Sequence, residues 1–593
     1  MERLELARNY VENTSVNVFL TGKAGTGKTT FLRSLVESSP KRMVVTAPTG
    51  VAAINAGGVT LHSFFQIPLG IFLPKFVREQ RGPSDRFAFS RSKRAIIRSM
   101  ELLIIDEISM VRADTLDAVD DALRRIRRID RPFGGVQVLM IGDVPKLSPV
   151  APAEDWEILR EYYNSPYFFD SKVLQQADYV CIELDHIYRQ RDTRFIDLLS
   201  KVRQNCLSAA DFSLLNSRYI PNFEPSSEEG YITLCSHNNS AKQINESHLE
   251  SLEGEEFRFE AEIQGEFPEY MFPIEQNLPL KEGPRVRFAK NDLSPERRYV
   301  NGTLGTVIEL NEKEIVVQTD EGKVVNVEKV EWENVRYEIS KEDSKIITET
   351  IGTFRQYPLK LAWAITIHKS QGLTFDKTII DAAFSFSHGQ VYVALSRCRT
   401  LEGIVLRKAI PRSAIVSDAS VDIFQNALPQ RLPTNERQEQ DRKRFQLELQ
   451  LDAFDFEPLI KSFTRMTYFA KDEISHLFPQ REERWEFNAS QLRTDVGQVA
   501  LKFQNQLKRL AAAGDSAAIE ERMAKGAAYF LEKINADVVP LLIDVADIEF
   551  DDKSVNKVLD TRLRELTEDT YVKIKTLEYA LEPGFDVQCY LQT

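Results

Sequence analysis

Cysteine is scarce: Cys181, Cys206, Cys235, Cys398 and Cys589 are scattered through 593 residues with neither metal-ligand spacing nor close pairing. That excludes a disulfide framework and a cysteine metal site, and it points to a reducing, cytoplasmic setting. Long apolar runs are missing too. None reaches the roughly 20 residues of a membrane span, and the opening MERLELARNYVENTSVNVFL carries acids where a signal segment would be basic, so a soluble chain with no membrane partner is expected. Positive charge is in deficit, with 76 basic against 89 acidic residues and a formal net charge of -13. This weighs against a polyanion spread over the whole surface, yet a local basic stripe suffices for a nucleic-acid channel. No Asn-Lys-x-Asp motif for reading guanine occurs. What is present is ordinary globular material, 42% hydrophobic and 28% charged, enough for several separately cored domains.

Up to about residue 180 the sequence alternates strands and helices. Asn17 to Leu20, Met43 to Ala47, Leu102 to Ile105 and Gln137 to Ile141 are short apolar strands, with helical patterns such as Thr115 to Ile129 between them. The pattern predicts a parallel α/β domain. Residues 66–90, rich in Pro and Gly with exposed-looking Phe72 and Phe76, form an excursion from it, either a pin or wedge beside a ligand channel or a solvated loop. A second α/β region starts with a strand at Tyr231 to Cys235 and a helix at Ser240 to Leu252. After an irregular stretch from Glu253 to Leu280, β-like runs at Arg285 to Phe288, Leu304 to Leu310, Glu314 to Gln318 and Lys323 to Val327 suggest a small barrel-like insertion. The α/β pattern resumes at Leu361 and ends near Ile410. Beyond Thr434 the chain reads as amphipathic helices, with Phe503, Leu507 and Leu510 on a packed face.

Chemistry concentrates first at Gly22-Lys23-Ala24-Gly25-Thr26-Gly27-Lys28-Thr29, a GxxxxGK[ST] loop between an apolar strand and a helix. Glycines let such a loop wrap phosphate, and its amides and the helix N-terminus face the negative charge. Lys28 then reaches the β and γ phosphates, and Thr29 supplies an oxygen to magnesium. The strand Leu102 to Ile105 ends in Asp106-Glu107. Two acids at the end of a buried strand are costly unless they face a site. Asp106 is placed to hold the magnesium shell, and Glu107 to activate the attacking water. ATP and magnesium are the expected cofactors, and hydrolysis the expected reaction. A kinase, a GTPase, a clamp loader and a motor all remain open on these two pieces alone.

Later clusters also sit at strand ends, where open sheets bind ligands. Thr46, Thr49, Thr60 and His62 offer groups suited to phosphate contacts that position a strand without reading its sequence. Ala364 to Gly372 adds Thr366, His368 and Lys369, and Tyr392 to Arg399 adds Arg397. Arg397 and Arg189, from Tyr188-Arg189-Gln190, are candidates for arginines delivered across a domain interface to the transferred phosphoryl group. Taken singly, each arginine reads equally well as a surface ion pair and His368 as a core histidine; the order of all the clusters together favours the functional reading.

That order resembles a superfamily 1 helicase of the Pif-type group, relatives of RecD and Dda. The similarity is carried by Gly22 to Thr30, Thr46 to Phe65, Leu102 to Met110, Gly142 to Val150, Glu183 to Gln190, Ala364 to Thr374 and Tyr392 to Thr400. Asp130 to Gln137 resembles the segment that marks the group. The resemblance implies an α/β fold of two RecA-like domains with an SH3-like β insertion and a C-terminal helical module. The boundaries expected are 1–180, 181–296, 297–350, 351–433 and 434–593. It implies ATP-driven 5′ to 3′ movement on single-stranded DNA by a monomer and unwinding at duplex junctions, with places in repair and recombination. It assigns Gly22, Gly25, Gly27, Lys28, Thr29, Thr30, Asp106 and Gln371 to the nucleotide, Glu107, Lys28, Arg189 and Arg397 to catalysis, Thr29 and Asp106 to the metal, and Thr46, Thr49, Thr60, His62, Thr366, His368 and Lys369 to DNA. A translocase without strand separation and a non-enzymatic nucleic-acid binder are the alternatives, with a metabolic kinase more remote. Two departures stand out: Lys146 occupies the usual glutamine position in Asp143-Val144-Pro145-Lys146-Leu147, and no glutamine precedes Asn17 for adenine recognition, although Asn9 is nearby.

Overall fold

A computed structural model describes residues 2–592 apart from 68–69, 74–88, 191, 226–228, 293, 295, 297, 340–345, 372, 382–388, 416–417, 475–478, 547 and 583. In the first lobe, β1 (Asn17–Gly22), β2 (Met43–Ala47), β3 (Val59–Thr60), β4 (Leu102–Ile105), β5 (Gln137–Ile141) and β6 (Tyr179–Leu184) form one parallel sheet in the order β3-β2-β4-β5-β1-β6. Side chains alternate between its faces. Phe19, Leu103, Ile105, Val138 and Met140 enter one core, whereas Val18, Leu20, Leu102, Ile104, Leu139 and Ile141 enter the other. Burial on both faces is why these strands read as unbroken apolar runs. Because β4, β5 and β1 are neighbours, the loops at their carboxyl ends, which carry Asp106-Glu107, Asp143 to Lys146 and the glycine loop, meet at one edge.

Phe72 departs from the exposed reading. It is buried in the first core and its amide donates to Asp114 Oδ2 at 2.9 Å. Phe76 and most of the expected wedge lie outside the described residues.

The second lobe opens with β7 (Ile232–Cys235) and the helix Asn238–Ser251. A β-rich excursion follows, comprising β8 (Phe257–Glu260), β9 (Glu262–Gly265), β10 (Asn277–Leu280), β11 (Arg285–Phe288), β12 (Leu304–Leu310), β13 (Ile315–Thr319), β14 (Val324–Val327), β15 (Val330–Ile339), β16 (Ile346–Gln356) and β17 (Leu359–Leu361). Five of these pair antiparallel as β14-β13-β12-β11-β17, and the long β15-β16 hairpin takes β9 as its third strand. Strands therefore occupy part of the stretch from Glu253 to Leu280 that lacks a clean period in sequence. There β8 and β10 pair only with each other, and their exposed Glu and Asn positions hide the alternation. Then β18 (Ala364–Thr366), β19 (Thr378–Asp381) and β20 (Ile404–Leu406) return to β7 in a parallel sheet ordered β18-β7-β19-β20.

Residues 434–593 make up nearly all of a second compact unit. Its helices include Asn435–Ala453, Glu457–Phe469, Val499–Ala513, Ser516–Asp537 and Lys553–Leu581. Phe454, Phe456, Phe463, Phe503 and Phe530 centre its core, with Leu507 buried and Leu510 packed against it, so the helical face seen in sequence is an interior one. Gly526 admits Phe503 where any Cβ would overlap the ring.

Candidate nucleotide and strand site

Gly25 and Gly27 hold φ of 82° and 87°, a left-handed conformation that side chains resist. At Gly25 a Cβ would lie 2.5 Å from Arg189 Cβ, so the missing side chain lets the arginine segment close over the loop. Gly27 opens the helix Lys28–Ser38, leaving Thr29 and Thr30 exposed in its first turn. The Lys28 ammonium folds back on its own loop, donating to Gly22 O at 2.5 Å, Lys23 O at 3.0 Å and Thr26 Oγ1 at 3.3 Å. Burial, reinforced by the nearby charge of Lys146, pulls its pKa down to about 7.

Across the edge of the sheet, the Glu107 amide donates to Asp106 Oδ1 at 2.9 Å. Glu107 has φ of 50°, a strained setting for a side-chain-bearing residue, and its buried Oε2 has no hydrogen-bond partner among the described residues. Burial and the neighbouring Glu107 charge raise the Asp106 pKa, while Lys146 and Lys28 pull the other way, which places these cations within electrostatic reach of the acids. Gln371 also keeps a buried Nε2 without a partner among the described residues.

The second lobe grips these loops. The Ala24 amide donates to the Tyr392 hydroxyl at 3.0 Å, and the Tyr188 amide donates to Gly25 O at 2.8 Å. Arg203, closing the helix Thr193–Arg203, donates to Asp143 Oδ1 at 2.9 and 3.1 Å; its side chain is 8% exposed and that of Asp143 0%. Gly389, with φ of 77°, sits so close to Lys146 that a Cβ would overlap the lysine carbonyl oxygen. Sequence reasoning missed Arg203 and the role of Tyr392. Arg203 lies in no motif, and its only signal is a basic residue ending an amphipathic helix.

Of the expected arginines, Arg189 donates to Ser396 O at 3.4 Å and is part-buried beside the glycine loop. Arg397 is 1% exposed and commits its guanidinium within its own lobe, to Val393 O at 3.0 Å, Ser370 O and Leu373 O at 3.3 Å and Ser396 Oγ at 2.9 Å. Burial and Arg189 lower its pKa to about 9, and the fields of Glu107 and Asp143 reach it across the cleft. In this state Arg397 braces the lobe that faces the acids.

The strand candidates divide. Thr46 and Thr366 depart from expectation. Thr46 is 0% exposed and donates to Ile104 O at 2.8 Å, and Thr366 is 4% exposed with its hydroxyl accepting from the Lys369 amide at 3.3 Å. Both hydroxyls organise strand ends. Thr49 and Thr60 cap the helices Gly50–Ala56 and Leu61–Phe65. His62 and His368 are part-buried, with burial lowering both pKa values, while Lys369 is exposed.

Residues 5–211 match the family described as PIF1-like helicase, and residues 437–593 match the DNA helicase, middle domain family. The chain is 35% identical over 409 residues to the ATP-dependent DNA helicase Pif1 of Bdellovibrio bacteriovorus, covering 68% of this chain and 86% of that one. It is 35% identical over 417 residues to the ATP-dependent DNA helicase PIF1 of Xenopus laevis, covering 68% of this chain but only 61% of the relative. Among solved structures, Bacteroides sp Pif1 in complex with ADP-AlF4 matches at 42% identity and a TM-score of 0.68, over 72% of this chain and 97% of that one. The same Bacteroides protein in complex with ADP-AlF3 and ssDNA matches at a TM-score of 0.53.

Proposed function

The chain belongs to the PIF1-like helicase family, and on that premise we propose that it is an ATP-dependent DNA helicase that moves 5′ to 3′ on single-stranded DNA and separates the duplex ahead of it. One observation supports the reading: Lys28, Asp106 and Glu107 lie within electrostatic reach of one another at one edge of the first sheet, and Tyr392 and Arg203 of the second lobe bond to the Ala24 amide and to Asp143 of the loops beside them.

These residues suit ATP and magnesium. Glu107 Oε2 and Gln371 Nε2 are buried polar atoms without partners among the described residues, and the glycine loop offers backbone amides at a helix N-terminus. Magnesium would be held by Thr29 and Asp106 and supplies charge neutralisation on the phosphates. Lys28 releases its own loop carbonyls to grip the β and γ oxygens. Glu107, raised on a strained turn, orients and deprotonates a water. Arg189, with Arg397 behind it, brings positive charge from the second lobe as the cleft closes. Thr49, Thr60, His62, His368 and Lys369 lie toward the strand, and the five-stranded antiparallel sheet takes the place of the SH3-like insertion. Alternating closure and release then moves the strand across both lobes.

Tailed duplexes with opposite overhangs test direction and unwinding together. Displacement only from the 5′-tailed substrate is expected, and ATP hydrolysis without displacement from either would reduce the protein to a translocase. Lys28→Ala and Glu107→Gln should keep strand binding and lose turnover; normal DNA-stimulated hydrolysis in either variant overturns the site assignment.

A further inference from the structure

Strand β11 alternates. Val286 and Phe288 enter the apolar core of the antiparallel sheet, which leaves Arg285 and Arg287 on its other face. Arg285 is neutralised by a two-pronged pair with Asp320, at 2.6 and 2.8 Å. Arg287 is 8% exposed and, among the described residues, has no hydrogen bond or ion pair. Its partner in register on β17 is Lys360, part-buried and equally without an ion pair.

Two cations thus stand directly opposite each other on neighbouring strands, an arrangement that repels. Burial lowers Arg287 to about 10, and burial together with the Arg287 charge lowers Lys360 to about 8. Glu275, exposed on the loop before β10, is the acid whose field reaches both, without forming a bond to either. Lys369, following the end of β18, adds a third positive field on Lys360. Buried charge kept without a protein counter-ion is the signature of a ligand counter-ion. Arginine and lysine side by side suit one class of group, an oxyanion that takes a forked donor and a point charge together.

We propose that Arg287 and Lys360 form a phosphate-binding site for the phosphodiester backbone of a nucleic-acid strand, continuing the line of contact begun at Lys369. The site rests on the helicase reading and extends it to the β insertion. It contributes affinity without sequence preference, since it grips phosphate rather than base edges.

The test is the salt dependence of binding to a fluorescein-labelled oligo-dT, measured by anisotropy on the full chain. Each phosphate contact on a single strand contributes about 0.7 to the slope of log K against log salt. The double variant Arg287→Gln/Lys360→Gln should therefore flatten the slope by about 1.4, which is about a 7-fold smaller loss of affinity between 50 and 200 mM salt. The charge-keeping pair Arg287→Lys/Lys360→Arg should retain the wild-type slope. An unchanged slope in the neutral double variant overturns the proposal, and so does a flattened slope in the charge-keeping pair, which would mean packing rather than charge. Competition with inorganic triphosphate distinguishes the source of the anion. Equal loss of oligo-dT binding in wild type and neutral variant supports a strand site, whereas protection confined to the neutral variant assigns the cations to a free polyphosphate and overturns it. A wild-type chain that neither binds oligo-dT nor shows DNA-stimulated ATP hydrolysis sinks the helicase reading itself, a result separable from all of these.

Discussion

Neutralising one member of the Arg203–Asp143 pair should loosen the seam between the two lobes far more than neutralising both. The pair is wholly interior, with Asp143 at 0% and Arg203 at 8% side-chain exposure, and both donors converge on Oδ1 while Oδ2 has no hydrogen-bond partner among the described residues. Burial alone would push the Asp143 carboxyl up, but Arg203, Lys146 and Lys28 together outweigh it and hold the carboxyl below its ordinary range. Removing one partner from such a pair leaves an uncompensated buried charge, at a cost of about 3 to 5 kcal/mol, whereas replacing both with neutral groups is close to harmless. Because a chain of several domains does not unfold in one step, the readout is amide hydrogen exchange over residues 137–147 and 197–205. Arg203→Gln and Asp143→Asn should each speed exchange there by roughly 10² to several 10³-fold, from about 1.4 kcal/mol per decade, and the double variant should recover most of that protection. The sign with pH follows from the depressed carboxyl: protection is complete above the ordinary carboxylate pKa and is lost as pH falls below it. If the double variant exchanges as fast as the two single effects combined, the ion pair is not what closes the seam.

Gly389→Ala combines a left-handed backbone, costing an ordinary residue about 1 to 2 kcal/mol, with overlap onto the Lys146 carbonyl; at least a tenfold fall in kcat for ATP is expected, and wild-type turnover would rule the contact unimportant. Lys146→Gln removes a cation from the field around Lys28 and Asp106, so KM for ATP should rise about tenfold and depend less on salt; a steady-state assay at two ionic strengths that finds neither change clears this residue of any part in phosphate binding. Lys93, 3.6 Å from the centroid of the Phe64 ring, is pulled by burial to about 8 from 10.5. Between those values the unfolded chain holds a proton that the folded one has lost, so stability rises with pH across the window, by at most about 3 kcal/mol. Melting curves of Lys93→Met should lack that rise relative to wild type, and parallel curves from pH 7.5 to 10 would refute the shift.

The four apolar runs of the first lobe were legible because each lies inside a doubly covered parallel sheet, where nothing polar interrupts the run. Val499 to Ala512 was legible for the opposite reason, one apolar face at helical spacing. The β8 and β10 strands were not, since a two-stranded pair with one wet face leaves only Phe259, Leu278 and Leu280 as signal. At the site, the glycine loop and the acidic strand end announce themselves because phosphate chemistry demands those residue types at a set spacing. Arg203 and the Arg287–Lys360 pair carry no such constraint. Their meaning arises from register and from burial without a counter-charge, which only three-dimensional neighbours reveal. Thr46 shows the converse hazard: a hydroxyl at a strand end reads as a ligand group, and here it satisfies a carbonyl on the adjacent strand.

The glycine loop and the loop after β5 each contribute a residue to the second lobe's apolar core. Ala24, 5% exposed, and Leu147, 1% exposed, belong to the same apolar core as Ile232, Leu234, Val391 and Leu406. Withdrawing the second lobe would expose both and break the Ala24–Tyr392 and Asp143–Arg203 bonds, all at the loops that would hold phosphate. On the proposed reading, opening the cleft would also disturb the loops that hold phosphate. The position of Lys28 completes the coupling. Its three donors now satisfy Gly22 O, Lys23 O and Thr26 Oγ1, so a bound phosphate must win the ammonium from the loop, and the loop freed in this way is the one that Tyr392 holds by its amide. On the reading proposed above, a change in charge at the γ position would reach the lobe seam through the glycine loop, whose Ala24 amide bonds Tyr392.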